Sequence, residues 1–376
     1  MIFLTLFAIP FLIALLSFLF GRGKVTFPEL CVQLLGAATI AGISVAAIFL
    51  DNTRDVEVWN GRVASKRSVH VSCEHSYSCN CRTVCSSSGK SQSCSTVCDT
   101  CYEHNYDVDW GVWTTNKELI DIDRVDRQGT TMPARYASTQ IGEPTSRTHT
   151  FTNYVKGAPD TLFRHQGLVE KYANRLPAYP QAVYDYYRLN RLVVLGTRFL
   201  DSEAWNSDLS QMNADLGAAK QANIIVVIAS ALGSDFGQAL EQHWLGGKKN
   251  DIVVVLGVGL ESEITWSYVI AWTDNQMFKV ALRDSILDTK VLNRTAVMAA
   301  ISTNVKNLYV RKHMKDFEYL AASITPTPTE LIIALIVGTL VASGLAVWFW
   351  REDPFGDFRI ATSVSRVRRR NGLHSW

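Results

Sequence analysis

The sequence predicts a multi-pass membrane protein: three transmembrane helices and an α+β ectodomain, in which a cysteine-rich β hairpin domain precedes an α/β sandwich. Three observations carry this reading. Three runs of 20 residues contain no Asp, Glu, Lys or Arg. Seven of the eight cysteines crowd into one short segment with mirrored spacing. Beyond about residue 160, near-continuous Val/Ile segments alternate with stretches of helical period.

The apolar runs are residues 1–20, 31–50 and 331–350. Each is long enough for a helix to cross a bilayer core of about 30 Å. The first lacks a basic leading region and a small-residue cleavage site, so it reads as an anchor and not a cleaved signal. Short loops rich in Lys and Arg stay cytoplasmic. The 21–30 loop holds Arg22 and Lys24 against Glu29, and the 351–376 tail holds Arg351, Arg359, Arg366, Arg368, Arg369 and Arg370 against three acids. Both therefore belong inside, which places Met1 and the 51–330 segment outside. Trp348 and Trp350 precede Arg351 as an interfacial aromatic belt would. The loop and tail together carry +4 against a net charge of +2, which leaves the ectodomain slightly acidic, at about −2, and excludes an electrostatic footprint for nucleic acid.

In the first ectodomain part (51–160), hairpin 70–107 is the informative element. CRTVC faces CSTVC across the polar turn SSSGKSQS. Cys85 with Cys94, Cys81 with Cys98, Tyr77 with Tyr102, and His75 with His104 all share one position sum, as an antiparallel hairpin requires. The left-hand partners are all odd-numbered, so they lie on one face of the strand. Directly opposed residues stand within disulfide range, which pairs Cys81 with Cys98 and Cys85 with Cys94. Of Cys73, Cys79 and Cys101, one must be left over; Cys31 lies in a membrane run. Two alternatives remain open: a tetrahedral zinc held by Cys81, Cys85, Cys94 and Cys98 with His75 and His104 near, and a thiol-redox centre using Cys98-Asp99-Thr100-Cys101. The flanks alternate as strands, including DIDRVD (121–126), which does not match an EF-hand loop.

The second part (161–320) reads as strands at 188–196, 223–230 and 251–259, an alternating strand at 265–273, and helices at 205–222, 234–247 and through 274–315. Continuous apolar strands between helices imply a mostly parallel sheet covered on both faces. The alternating Ile264, Trp266, Tyr268, Ile270 and Trp272 form either a core stripe or a binding platform. Residues 321–330 are a Pro/Thr-rich linker into the last span.

Residues 200–305 resemble the TPM domain, a membrane-anchored extracytoplasmic α/β family. The likeness rests on Ile224–Ser230, Trp244, the turn Gly246–Asp251 and the strand Ile252–Gly259. The whole-chain combination also resembles membrane proteins encoded by tailed phages. The TPM resemblance implies either a non-enzymatic envelope protein that binds or helps assemble another membrane protein, or a metal-dependent phosphate-ester hydrolase. In the second case Asp251, Glu261 and Glu263 would hold Ca²⁺, with Asp274 and Asp284 as further candidates. The acids after the second strand are fewer here than in the family's metal-binding members. No GxSxG, HExxH or phosphate-binding glycine loop is present, so the expected partners are the membrane and another envelope protein, and the expected cofactors are at most calcium or zinc.

Overall fold

The computed structural model describes residues 5–21, 24–88, 91–163, 167–180, 183–184, 188–196, 201–352 and 354–355. Its principal elements begin with helices α1 (Thr5–Phe20) and α2 (Phe27–Thr53). Six strands follow: β1 (Arg54–Val71), β2 (Ser76–Ser88), β3 (Ser91–Tyr102), β4 (Asp107–Thr114), β5 (Leu119–Ile122) and β6 (Pro144–Thr152). The alternating part runs β7 (Leu192–Leu195), α3 (Ser202–Lys220), β8 (Asn223–Ser230), α4 (Phe236–His243), β9 (Asp251–Val258) and β10 (Ile264–Ala271). It closes with α5 (Met277–Leu287), α6 (Arg294–Leu308) and the last long helix α7 (Pro328–Glu352).

Two compact units result. One is built from the chain up to Asp55, residues 151–164, and the chain from His313 onward; the other holds residues 56–150 and 165–312. The expected boundaries near 160 and 320 therefore move. Both ectodomain sheets share one unit, and residues 151–164 join the helices.

In the helical unit, α2 and α7 are long and apolar enough to cross a bilayer, with 27 and 25 residues. The first apolar run differs from expectation. Its described helix has 16 residues, short of the roughly 20 a full crossing needs, and residues 1–4 lie outside the described ones. The three helices pack together through Leu6, Ala41 and Ile48 with Val45, Leu331 and Leu335. Small residues allow the close approach: a Cβ on Gly338 would stand 3.2 Å from Pro10. Ser17 Oγ donates to Gln33 Oε1 at 2.8 Å, a polar contact between α1 and α2 within apolar surroundings. Thr26 N–H donates to Glu29 Oε2 at 2.6 Å and closes the start of α2. At that end Lys24 Nζ sits 4.5 Å above the Trp350 ring. At the other, Asn52 donates to Glu330 at 3.2 Å.

The second unit contains two four-stranded sheets and the ribbon. The first sheet has order β5-β4-β1-β6. Val63, Val108, Trp110, Val112, Ile120 and Ile122 form its core. The β2–β3 ribbon is an excursion from this sheet, entered after Val71 and left before Asp107, which pair with each other at the end of the β1–β4 ladder. Within the ribbon Cys85 opposes Cys94 as the position sums require, but the register slips by one between Cys79 and Arg82. Tyr77 therefore opposes Cys101 and not Tyr102. The cause is a bulge at Asn80, whose φ of 47° is left-handed, a conformation Asn tolerates better than most residues. Three disulfides close the ribbon: Cys79–Cys101, Cys81–Cys98 and Cys85–Cys94. Strand alternation also fails at DIDRVD: β5 stops at Ile122, and Asp126 caps a loop by accepting from the N–H groups of Gly129, Thr130 and Thr131.

The second sheet has order β10-β9-β8-β7. β7, β8 and β9 are parallel and β10 is antiparallel. Every residue of β8 and β9 is buried, which is why both read as unbroken apolar runs. Ile224, Val226, Ile228, Ile252, Val254 and Leu256 pack under α3, α5 and α6. Ile225, Val227, Val253 and Val255 pack under α4. Burying one such side chain is worth about 1.5–3 kcal/mol. Trp266, Tyr268 and Ile270 belong to the α4 side, so this part of the alternating stripe is core, whereas Ile264 packs with the opposite face. Trp266 Nε1 donates to Leu232 O at 2.9 Å.

The two sheets are stitched by buried polar groups. Asn60 of β1 donates to Asn223 Oδ1 at 3.0 Å and accepts from Ser146 Oγ at 2.8 Å. Asn250 donates to Val58 O at 2.7 Å. Gly217 of α3 lies against the Asn60 backbone so closely that any Cβ would collide with it. Gly217→Ala is expected to cost about 1–3 kcal/mol by overpacking, read as a lower denaturant midpoint with an unchanged slope.

Candidate functional site

Where the ribbon leaves the first sheet, the chain passes twice through a neck: Ser72–His75 going out and Glu103–Tyr106 coming back. The end of the β1–β4 ladder fixes both passages. Cys73, one of two cysteines outside a disulfide, is buried here. Its Sγ lies 3.7 Å from His104 Nδ1 and 3.6 Å from the His75 carbonyl oxygen. The same His104 Nδ1 lies 3.3 Å from Asp107 Oδ1. One ligand-type atom from each of Cys73, His104 and Asp107 falls within 4.8 Å of the other two.

The Asp107 carboxylate is fully buried. Its other oxygen accepts from the Glu74 N–H at 3.0 Å and from Arg124 Nη1 at 3.0 Å. The Glu74 N–H, with Cys73, His104 and Arg124, holds the carboxyl below the usual range against the opposing effect of burial. Arg124 also pairs with Asp109 at 2.5 Å. Asp107 is therefore anionic at neutral pH and pinned on one oxygen, with the other turned to His104 and Cys73. The His75 ring stands edge-on to that of His104 at 6.4 Å, and its Nε2 is 3.2 Å from Arg127 O.

The residues the sequence nominated lie elsewhere. Asp251 begins β9 and is completely buried. It accepts from Asn223 Nδ2 at 2.8 Å, Tyr179 OH at 2.7 Å and Lys248 N–H at 2.7 Å. Glu261 and Glu263 follow the far end of the same eight-residue strand. At about 3.3 Å per residue the strand holds them roughly 25 Å away. The three acids thus do not converge on one calcium ion, and Asp251's oxygens serve the fold. Glu263 Oε2 accepts from the Glu261 N–H at 2.8 Å, closing a turn. Asp274 pairs with Lys312, and Asp284 with Arg283. The zinc reading of Cys81, Cys85, Cys94 and Cys98 is also overturned, because all four sulfurs are bound in disulfides and zinc needs thiolates. Cys98-Asp99-Thr100-Cys101 is no dithiol pair either: its two sulfurs belong to different bridges.

No match is found among known protein families, characterised proteins or solved structures.

The neck cluster escaped the sequence reading. The mirror pattern set His75 opposite His104 and left the odd cysteine unassigned. One signal was present: Cys73 and His104 both lie just outside the bridged segment, next to the end of the β1–β4 ladder.

Proposed function

We propose that this chain is a membrane-anchored, extracytoplasmic protein of the cell envelope that presents its disulfide-closed ribbon to another envelope protein. One observation carries the reading. Among the described side chains of β2 and β3 none is buried, yet three disulfides hold the pair. An isolated two-stranded ribbon is only marginally stable in water. Cross-linking it three times preserves a shape that no core maintains. Tyr77, Val84, Val97 and Tyr102 remain largely exposed on it, and tyrosine is enriched where proteins meet.

The disulfides favour an oxidising compartment. The Lys24–Trp350 contact puts the α1–α2 connection and the end of α7 at the same end of the helical unit, as the shared positive charge of the loop and tail requires for a cytoplasmic end. This supports a cytoplasmic side for both of these ends, with the 56–312 region between α2 and α7 outside. The strand–helix–strand order of β8, α4 and β9 supports keeping the TPM resemblance within this reading, on its binding and assembly side.

Two measurements test it. Protease added with a reductant to spheroplasts is expected to cut the ribbon within 76–102 while the tail stays protected; cleavage of the tail with an uncut ribbon would reverse the topology. A photo-crosslinking residue at Tyr102 is expected to give one discrete protein adduct in native membranes, and the same residue at exposed Val310 none. Equal labelling from both positions would remove the ribbon as the presenting surface.

A further inference from the structure

From the geometry of the neck we infer that Cys73, His104 and Asp107 form a mononuclear zinc site, with the fourth position left to water. Around a tetrahedral zinc with bonds of about 2.3 Å to sulfur and about 2.0–2.1 Å to nitrogen or oxygen, neighbouring ligand atoms stand about 3.3–3.6 Å apart. The observed edges are 3.7 Å for Cys73 Sγ to His104 Nδ1 and 3.3 Å for His104 Nδ1 to Asp107 Oδ1.

The arrangement does not suit a nucleophilic triad. There the imidazole takes the thiol on one ring nitrogen and the acid on the other. Here sulfur and carboxylate both approach Nδ1, so the three atoms surround a point and do not form a relay. A second observation concerns which cysteine is left over. Seven clustered cysteines must leave one unbridged, and it is Cys73, the one buried beside His104 and Asp107. The thiol outside the bridges is thus the one that has two further ligand-type atoms next to it.

The donor set selects the ion. One thiolate, one imidazole and one carboxylate suit zinc and its softer neighbours, whereas calcium takes six to eight oxygens. The charges also close: thiolate and carboxylate cancel the two positive charges of zinc, which lowers the cost of burying them. The Glu74 N–H and Arg124, both on the outer oxygen of Asp107, orient the carboxylate ligand from behind. The ion would tie the two passages of the neck together, one ligand from the outgoing strand side and two from the returning side. This goes beyond the presenting role, and either can fail without the other.

The test uses the full-length protein in detergent without reductant, so that the bridges stay closed, stripped with a chelator and titrated with Co²⁺ and then Zn²⁺. The expected result is one equivalent of Co²⁺ per chain with a thiolate-to-cobalt charge-transfer band, which Zn²⁺ then displaces. Cys73→Ser and His104→Gln should each weaken metal binding at least about tenfold, and Cys31→Ser should leave it unchanged. In the unaltered protein, alkylation of Cys73 should be at least about tenfold slower with zinc than after stripping. This arm needs no variant to fold. Absence of a stoichiometric cobalt band, a band that survives Cys73→Ser, or an alkylation rate indifferent to zinc would each overturn the site.

Discussion

Asp251→Ala is expected to lower the unfolding free energy of the sheet-containing unit by about 3–5 kcal/mol, the usual consequence of removing one partner from a buried charged network. The carboxylate is wholly enclosed and accepts from Asn223, Tyr179 and the Lys248 N–H. Alanine would leave three donors without an acceptor, each costing about 1–3 kcal/mol before relaxation. The loss also reaches the second sheet's neighbour, because Asn223 is the residue that accepts from Asn60 of β1. Asp251→Asn is not a conservative repair: its amide nitrogen would face a donor on either side. Against a total stability of about 5–15 kcal/mol, the alanine variant is near the limit of folding. Denaturant titration of the full chain, followed by the fluorescence of Trp244 beside Tyr179, measures the change. A shift under about 1 kcal/mol would show that the network is dispensable.

The same residue sets a pH dependence. Burial raises the Asp251 carboxyl above its ordinary 3.8, against the lowering effect of its hydrogen bonds to Asn223, Lys248 and Tyr179. The folded state therefore binds this proton more tightly than the unfolded chain. Its contribution to stability falls as pH rises from 3.8 through the folded value, and the cost of ionisation is complete above that. The stability gap between the native chain and Asp251→Asn should accordingly narrow as pH rises through that window.

Reduction of the three disulfides is expected to open the ribbon and leave both four-stranded sheets intact. No described side chain of β2 or β3 is buried, so nothing apolar compensates the entropy regained when the loops reopen. A single bridge closing a loop of this size contributes about 3 kcal/mol in the chain-entropy picture. The three loops are nested, at separations of 22, 17 and 9 residues, so the second and third add less than the first. Replacing all six bridged cysteines by serine should cost the ribbon about 3–5 kcal/mol locally. Limited proteolysis mapped by mass should then show cuts confined to 76–102 on reduction, while the all-buried strands β8 and β9 stay protected. A ribbon that remains uncut after complete reduction would mean that something other than its bridges maintains it.

Much of the architecture was legible in the chain because it rests on local pattern. The apolar runs appear as helices, extended at each end in α2 and α7. The unbroken Val/Ile segments at 223–230 and 251–259 are the two central parallel strands. The partners of Cys81 and Cys85 follow from antiparallel symmetry alone, since opposed positions in a hairpin have a constant sum. That rule stops at Asn80, where one left-handed residue shifts the register and lets Cys79 reach Cys101. Composition and spacing carry no strong sign of a single bulge, because many residue sequences could accommodate it.

The rest of the fold depends on which distant segments the folded chain brings together. The handedness of the crossovers is one case. The chain moves the same way across the sheet from β7 to β8 to β9, yet α3 covers one face and α4 the other, so the two crossovers have opposite hands. Both faces of β8 are apolar, and the sequence therefore does not say which face each helix takes. The neck is the other case. Cys73, His104 and Asp107 meet because the β1–β4 ladder ends at Val71 and Asp107, which draws together segments about 30 residues apart in the chain. Residue types alone determined an apolar-anchored protein with a cross-linked ribbon. Strand pairing determined that its unbridged cysteine faces a histidine and a buried carboxylate, because hydrogen bonds between β1 and β4 act across space and leave no local mark on the residues they bring into contact.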